Sequence, residues 1–346
     1  MMPKTRVLVI DDSAVVRKMI SEVLSKEPKI EVVATALDPF IAAEKIKTLH
    51  PDVLTLDIEM PRMDGITFLS KLMIAHPMPV IMVSSFTDSG AAATIKAMEA
   101  GAVDFILKPV NIEDSGKWSS FGKDLAEKIL VAAKANIRKT PQHVYIAREA
   151  PEKNDSRKYS GSLVAIGAST GGTEVITEIL CALDESTPGV VVTQHMPPKF
   201  TEAFASRINS LATIRVKEAA NGDRVYSGSA YIAPGGMQMM VRRDTLGFWI
   251  EVNDDPPINR HKPSVDALFN SISRCAGDEA MGIILTGMGG DGASGLYSMK
   301  ECGSHTIAQD EKSSIVFGMP REAIKIGAAC SVANIEGIID QIRGFK

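Results

Sequence analysis

The chain alternates short β-branched runs with amphipathic stretches, twice over, and that alternation restricts the fold more than any other feature. "RVLVI", "IEVVATAL", "DVLTLDI", "PVIMVSS" and "VDFILK" each fit a buried strand between residues 5 and 110. Between them apolar side chains recur at helical spacing, as with Val15, Val16, Met19, Ile20, Val23 and Leu24 behind an N-cap candidate, Ser13. Strand–helix alternation at this pitch calls for a parallel sheet covered on both faces. A further helix is predicted over 119–139, "SSFGKDLAEKILVAAKANIRK".

The pattern stops at residues 139–162, "KTPQHVYIAREAPEKNDSRKYSGS", which are polar, charged and aperiodic. That composition predicts a linker, with a small "VYI" cluster able to dock. From Leu163 the alternation resumes with "LVAIGA", "GVVVTQ", "AYIAP", "MGIILTG" and "HTIAQD", and "MQMMVRRD" followed by "GFWIEVND" predicts a β-hairpin. The fold class is therefore α/β in two domains. Residues 1–138 form a (βα)5 unit with a terminal helix, and 163–346 a doubly wound, mostly parallel unit carrying the hairpin. A length of 346 residues suits two such domains.

The formal net charge of −4 lacks the basic footprint of a nucleic-acid binder. Cys181, Cys275, Cys302 and Cys330 are far apart and lack metal-ligand spacing, as expected of free thiols in a reducing compartment. "MMPKTRVLVIDD" is too short an apolar run for a signal peptide, and no run of about 18 apolar residues occurs. A cytoplasmic protein without membrane insertion is expected.

In the first half, Asp11 and Asp12 follow the first strand, Asp57 ends the third and Lys108 ends the fifth. In an open parallel sheet these carboxyl ends line one crevice. Three converging carboxylates repel one another unless a hard cation joins them, and Mg²⁺ suits such oxygen ligands. Lys108 and the Ser84 hydroxyl then offer positive charge and a donor to an incoming phosphate. Taken singly, Asp11 or Asp12 also reads as a helix cap and Asp57 as a solvated loop acid.

In the second half, Gly167-Ala168-Ser169-Thr170-Gly171 fits G-x-S-x-G, a strand-to-helix elbow that presents a serine Oγ at the sheet edge. A glycine-rich turn of this kind also suits a phosphate cradle, although no G-x-G-x-x-G spacing or Gly-Lys-Ser/Thr is present. His195 follows "GVVVTQ" at the same end of the sheet as Ser169, which makes it the candidate base. His305 begins its strand and belongs to the opposite end, whereas His261, in "NRHKPSVD", lies in a polar loop suited to a substrate groove. Asp291, in "LTGMGGDGA", is the candidate orienting acid, and Met288 can donate a backbone amide to an oxyanion.

"VIDDSAVVR", "LDIEMPRMDG", "VSS" and "LKP" resemble the motifs of the response-regulator receiver domain over roughly residues 1–125. "IGASTGG", "QHMP", "NRHKPSVD", "LTGMGGDGA" and "AQDEKSSIVFGMP" together resemble the chemotaxis protein-glutamate methylesterase (CheB) family over nearly all of 163–346.

The receiver resemblance implies Asp57 as phospho-acceptor, Asp11 and Asp12 as metal-side acids and Glu59 as a backbone-carbonyl ligand to Mg²⁺. It also implies Ser84 and Lys108 as phosphoryl sensors, Phe105 as the aromatic switch and a histidine kinase as phosphodonor. Ser84 stands where many receivers carry threonine. The methylesterase resemblance implies hydrolysis of glutamate methyl esters on chemoreceptors, and often deamidation of receptor glutamines. Ser169 is then the nucleophile, His195 the base, Asp291 its partner, and amides near Thr170 and Met288 the oxyanion donors. Two alternatives predict different things. A DNA-binding output needs a basic helix-turn-helix, and a generic α/β-hydrolase expects the order serine, acid, histidine.

Overall fold

The computed structural model describes residues 3–85, 87–111, 114–137 and 158–345. The chain divides into two compact units, Met1–His143 and Val144–Lys346. The "VYI" cluster lies outside the described residues.

The first unit runs β1 (Thr5–Ile10), α1 (Ala14–Leu24), β2 (Ile30–Ala36), α2 (Pro39–Leu49), β3 (Val53–Asp57), α3 (Gly65–Ala75), β4 (Val80–Ser84), α4 (Asp88–Glu99), β5 (Asp104–Leu107) and α5 (Ser115–Ala132). The sheet order is β2-β1-β3-β4-β5, and every pairing is parallel. Val7, Leu8, Val9, Val53, Leu54, Leu56, Val80, Ile81 and Met82 are buried, as a sheet covered on both faces requires. Helix starts follow side-chain caps: Ser13, Asp38, Asp64, Thr87 and Asp114 each accept a hydrogen bond from a first-turn amide. The Asp114 cap starts α5 four residues before the predicted 119, and α5 ends at Ala132, its last buried position, rather than at 139.

The second unit runs β6 (Leu163–Ala168), α6 (Gly172–Ala182), β7 (Gly189–Gln194), α7 (Phe200–Asn209), β8 (Arg215–Glu218), β9 (Ser229–Ile232), β10 (Gln238–Asp244) and β11 (Gly247–Asn253). It continues with α8 (Val265–Ser273), β12 (Ala280–Ile284), α9 (Ala293–Glu301), β13 (His305–Gln309), α10 (Met319–Lys325), β14 (Ser331–Ala333) and α11 (Ile335–Gly344). Seven parallel strands lie in the order β14-β13-β12-β6-β7-β9-β8. The edge strands β8 and β14 escape a sequence reading because they are short and only partly buried. β10 and β11 form the antiparallel hairpin, whose Met239, Val241, Phe248 and Ile250 pack with Leu268 and Phe269 of α8 in the core.

Residues 158–162, read as the end of the linker, are hydrogen-bonded into this unit. Tyr159 bridges Tyr226, the Ser160 N–H donates to Val225 O, and Ser160 Oγ accepts from Gly189 N at 2.8 Å. Among the described residues no helix is long and apolar enough to cross a membrane.

Candidate active site and acidic pocket

The second sheet reverses direction of winding at β6, which lies between β7 and β12. Ligands of open α/β sheets bind at such a switch point, beyond the strand carboxyl ends. Ala168 of β6 is paired with Gln194 of β7, so Ser169 and His195 are the next residues on adjacent strands. The elbow holds because Gly171 takes a left-handed φ of 76° and the Ser169 N–H donates to Thr286 O beyond β12. Gly287 must lack a side chain, since a Cβ there would stand 2.8 Å from Ser169 Cβ and closer still to Met319 Sδ. Gln194 Nε2 donates to Ser169 O at 2.9 Å, fixing the Ser169 backbone from β7.

His195 Nε2 lies 2.8 Å from Asp291 Oδ2, and the histidine and aspartate side chains are 9% and 1% exposed. Asp291 also accepts from Asn259 Nδ2 and Ser264 Oγ at 2.8 Å each and from Val265 N at 2.7 Å. The last donor belongs to the first turn of α8, where the helix dipole favours an anion. Burial raises the Asp291 pKa, but hydrogen bonding to His195 and its charge, with Asn259 and Ser264, bring it down to about 2. Asp291 is thus an acceptor on every side, so Nε2 carries the imidazole proton and Nδ1 is the basic nitrogen. His195 Nδ1 is buried without a hydrogen-bond partner. Ser169 Oγ forms no hydrogen bond to it, a looseness common in nucleophile–base pairs before substrate binds.

Met288, half-buried beyond β12, has a backbone N–H with no hydrogen-bond acceptor among the described residues. Thr170 is buried at the start of the elbow, its carbonyl accepting from Thr286 Oγ1 at 3.0 Å. His261, expected to line a substrate groove, lies face to face with His195. His305 sits at the other end of the sheet, with Nε2 2.9 Å from Gln341 Oε1. Sequence reasoning took only His261 from "NRHKPSVD" and missed Asn259, Ser264 and Asp266, and it missed Gln194 beside His195. The polar density of that octapeptide, just ahead of a helix, was the available signal.

In the first sheet the switch point falls between β1 and β3. Lys108 Nζ lies 2.8 Å from both Asp11 Oδ2 and Asp57 Oδ2, and carboxylate oxygens of Asp11, Asp12 and Asp57 lie within 4.8 Å of one another. Burial pushes the Asp57 pKa up to about 6 although Lys108 opposes it, and the charge of Asp11 adds to the rise. Lys108 responds the other way: burial lowers its pKa, but attraction to Asp57 and Asp11 leaves it raised. Two acids share one ammonium, so the lysine gains while Asp57 still loses. The pocket is short of positive charge, and Asp11 Oδ2 has no properly angled donor despite its contact with Lys108. These hard oxygen donors fit a divalent cation such as Mg²⁺. Gly65 passes so near that a Cβ would stand 2.0 Å from the Asp57 carbonyl oxygen, which accounts for glycine after the Asp64 cap. The Glu59 backbone also works to lower the Asp57 pKa, but less than Lys108 does. Ser84 Oγ is buried 2.8 Å from Thr94 Oγ1 of α4, and Phe105 is buried on β5.

Residues 164–342 match the family model described as CheB methylesterase, and residues 7–115 that of the response regulator receiver domain. A protein-glutamate methylesterase/protein-glutamine glutaminase of Burkholderia lata is 51% identical over 333 residues, covering 94% of this chain and 91% of the relative. That of Escherichia coli is 48% identical over 342 residues, covering 99% and 97%. The crystal structure of the Thermotoga maritima CheB methylesterase catalytic domain is similar at 35% identity and a TM-score of 0.52, over 53% of this chain and 97% of that one. The chain belongs to the CheB methylesterase family, with a response-regulator receiver domain ahead of the esterase domain.

Proposed function

We propose that this protein hydrolyses glutamate methyl esters on chemoreceptors, and deamidates receptor glutamines, through Ser169, His195 and Asp291. The observation that carries the reading is the 2.8 Å His195–Asp291 pair one residue beyond the strand pairing that sets Ser169 beside His195. Ser169 Oγ attacks the side-chain carbonyl while His195 Nδ1 takes its proton. The developing oxyanion is met by backbone amides at Thr170 and Met288. The protonated imidazole gives its proton to the departing methoxide, releasing methanol, or ammonia from a glutamine. A water then attacks the acyl-serine, His195 Nδ1 takes its proton and returns it to Ser169, and a free glutamate remains. Asp291 holds Nε2–H throughout, an arrangement with the two ring nitrogens exchanged relative to the chymotrypsin pattern.

The first domain serves as a phosphorylation switch. Asp57 accepts a phosphoryl group from a chemotaxis histidine kinase, and Lys108 and Ser84 bind its oxygens. Asp11, Asp12, Asp57 and the Glu59 carbonyl would hold Mg²⁺, which neutralises charge on the phosphoryl oxygens. Phe105 is the aromatic member of the switch, and the protein works in the cytoplasm at the receptors' cytoplasmic parts. Receptor membranes carrying labelled methyl esters provide the test. Wild type with phosphodonor should release methanol, and Ser169→Ala should release none. Wild-type release by that variant would overturn the assignment.

A further inference from the structure

Asn259 Nδ2 lies 2.7 Å from Asp266 Oδ2 and 2.8 Å from Asp291 Oδ1. One amide nitrogen carries two hydrogens, and here each goes to a different buried carboxylate; Asp266 is 6% exposed and Asp291 3%. Both neighbours are acceptors, so the amide can only present its NH₂ group to them. We propose that Asn259 is a positioning residue for the hydrolysis, a two-donor clamp that fixes the rotation of the Asp291 carboxylate by tying it to Asp266. The proposal rests on the Ser169–His195–Asp291 reading.

The backbone explains why asparagine stands there. Ile258 and His261 exchange both backbone hydrogen bonds, with N···O distances of 3.1 and 2.8 Å, and Asn259 and Arg260 between them have φ of 52° and 69°. Two consecutive left-handed residues make a tight hairpin turn of the I′ kind, where asparagine is the side-chain-bearing residue best suited to the first place. The same turn sends Asn259 to Asp291 and His261 onto His195.

Asp266 supplies the anchor. Its Oδ1 accepts from Gly295 N of α9 at 2.6 Å, and the residue is itself in the first turn of α8. The clamp therefore joins the turn, the start of α8 and the start of α9 to one carboxylate. Asn259 and Ser264 occupy Oδ1 of Asp291, which leaves Oδ2 for His195 Nε2 and Val265 N. Without the amide, the carboxylate is freer to turn and the imidazole tautomer is less firmly set. The charge near His195 is also altered, since the titratable groups facing it are Asp291, Asp266 behind the amide, and His261.

Asn259→Gly and Asn259→Asp both tolerate a left-handed φ, so each removes the donor while keeping the turn. The full chain is assayed for methanol release from methylated receptor membranes, with phosphodonor, from about pH 5 to 9. Asn259→Gly should lower kcat about 10–100-fold at unchanged KM. Asn259→Asp should fall at least as far, and its acidic limb should move to higher pH, because a third carboxylate favours the imidazolium. Asp266→Asn, which keeps the shape and removes a charge, should move that limb to lower pH. Folded variants with wild-type kcat would overturn the clamp, as would a kcat loss with an unmoved pH profile in both charge-changing variants. Ser169→Ala is run alongside. If it stays active, the reading of the whole site fails; if it is dead while the Asn259 variants match wild type, the clamp alone fails.

Discussion

His261 lies flat against His195, with ring centroids 3.7 Å apart and planes 5° from parallel. Asp291 holds the Nε2 edge of the same imidazole at 2.8 Å. One contact fixes the ring's edge and the other its plane, so the direction of Nδ1 is determined by two residues on different loops. His261→Ala should lower kcat about 10-fold with KM little changed, and His261→Phe, which keeps a flat face, should restore most of the loss. Steady-state methanol release distinguishes them. An equal loss in both variants would assign His261 a polar role in place of the stacking one.

Substitutions within the proposed triad should be far more damaging. Ser169→Ala should cost about 10⁶ in turnover and His195→Gln nearly as much. Asp291→Asn should cost about 10⁴, since an amide can offer the ring the wrong tautomer. His305→Gln disturbs only the contact with Gln341 at the far end of the sheet and should leave kcat within about twofold of wild type. An essential His305 with a dispensable His195 would restore the generic hydrolase order.

What the sequence made legible follows from where the information sits. Buried parallel strands are continuous apolar runs, so β1, β3, β4, β6, β7 and β12 stand out, and their carboxyl ends place Asp11, Asp57, Ser169 and Asp291 without any coordinates. β8, "RVKE", and β14, "SVA", carry no such signal because an edge strand is covered less completely. The surroundings of Asp291 were hidden for another reason. Asn259, Ser264 and Asp266 reach it over 25 to 32 residues of chain, and only the tertiary fold brings the turn and two helix starts together. His261 was noticed as polar loop, but the stacking depends on the I′ turn.

The acidic pocket has a stability signature. Asp57 has its pKa raised from 3.8 to about 6 when folded. Between those values the folded chain binds more protons than the unfolded chain, so stability falls as pH rises through the window. Below about pH 4 Asp57 is protonated in both states and costs nothing. Asp57→Asn should therefore stabilise the first unit at neutral pH without divalent cations, by on the order of 2–3 kcal/mol. The gain should vanish near pH 4, and Mg²⁺ should reduce it by stabilising wild type. The two tryptophans, Trp118 and Trp249, fall one in each unit. Denaturation followed by Trp118 fluorescence in a Trp249→Phe background reads this transition. A gain independent of pH would rule out the charge explanation.

A domain tethered in the same chain is held near its neighbour at high effective concentration, so an unphosphorylated receiver can restrain catalysis without tight intrinsic affinity. Phosphorylation of Asp57 adds about −1.5 to −2 charge beside Lys108 and Ser84. Ser84 Oγ accepts from Thr94 Oγ1 of α4 at 2.8 Å, so donating its own proton to the phosphoryl group couples Asp57 to α4. Phosphodonor with Mg²⁺ should raise wild-type methanol release, and omission of Mg²⁺ should abolish the rise. Asp57→Asn should remain at the basal rate under both conditions. A fragment of residues 158–346 should exceed the unphosphorylated full chain. It has to begin at Lys158, because Tyr159 and Ser160 are bonded into the second unit and a start at Leu163 would strip that support from β7. A fragment no faster than the unphosphorylated whole would exclude restraint. The receiver would then act positively, by ordering the loops around Ser169 or by docking the receptor.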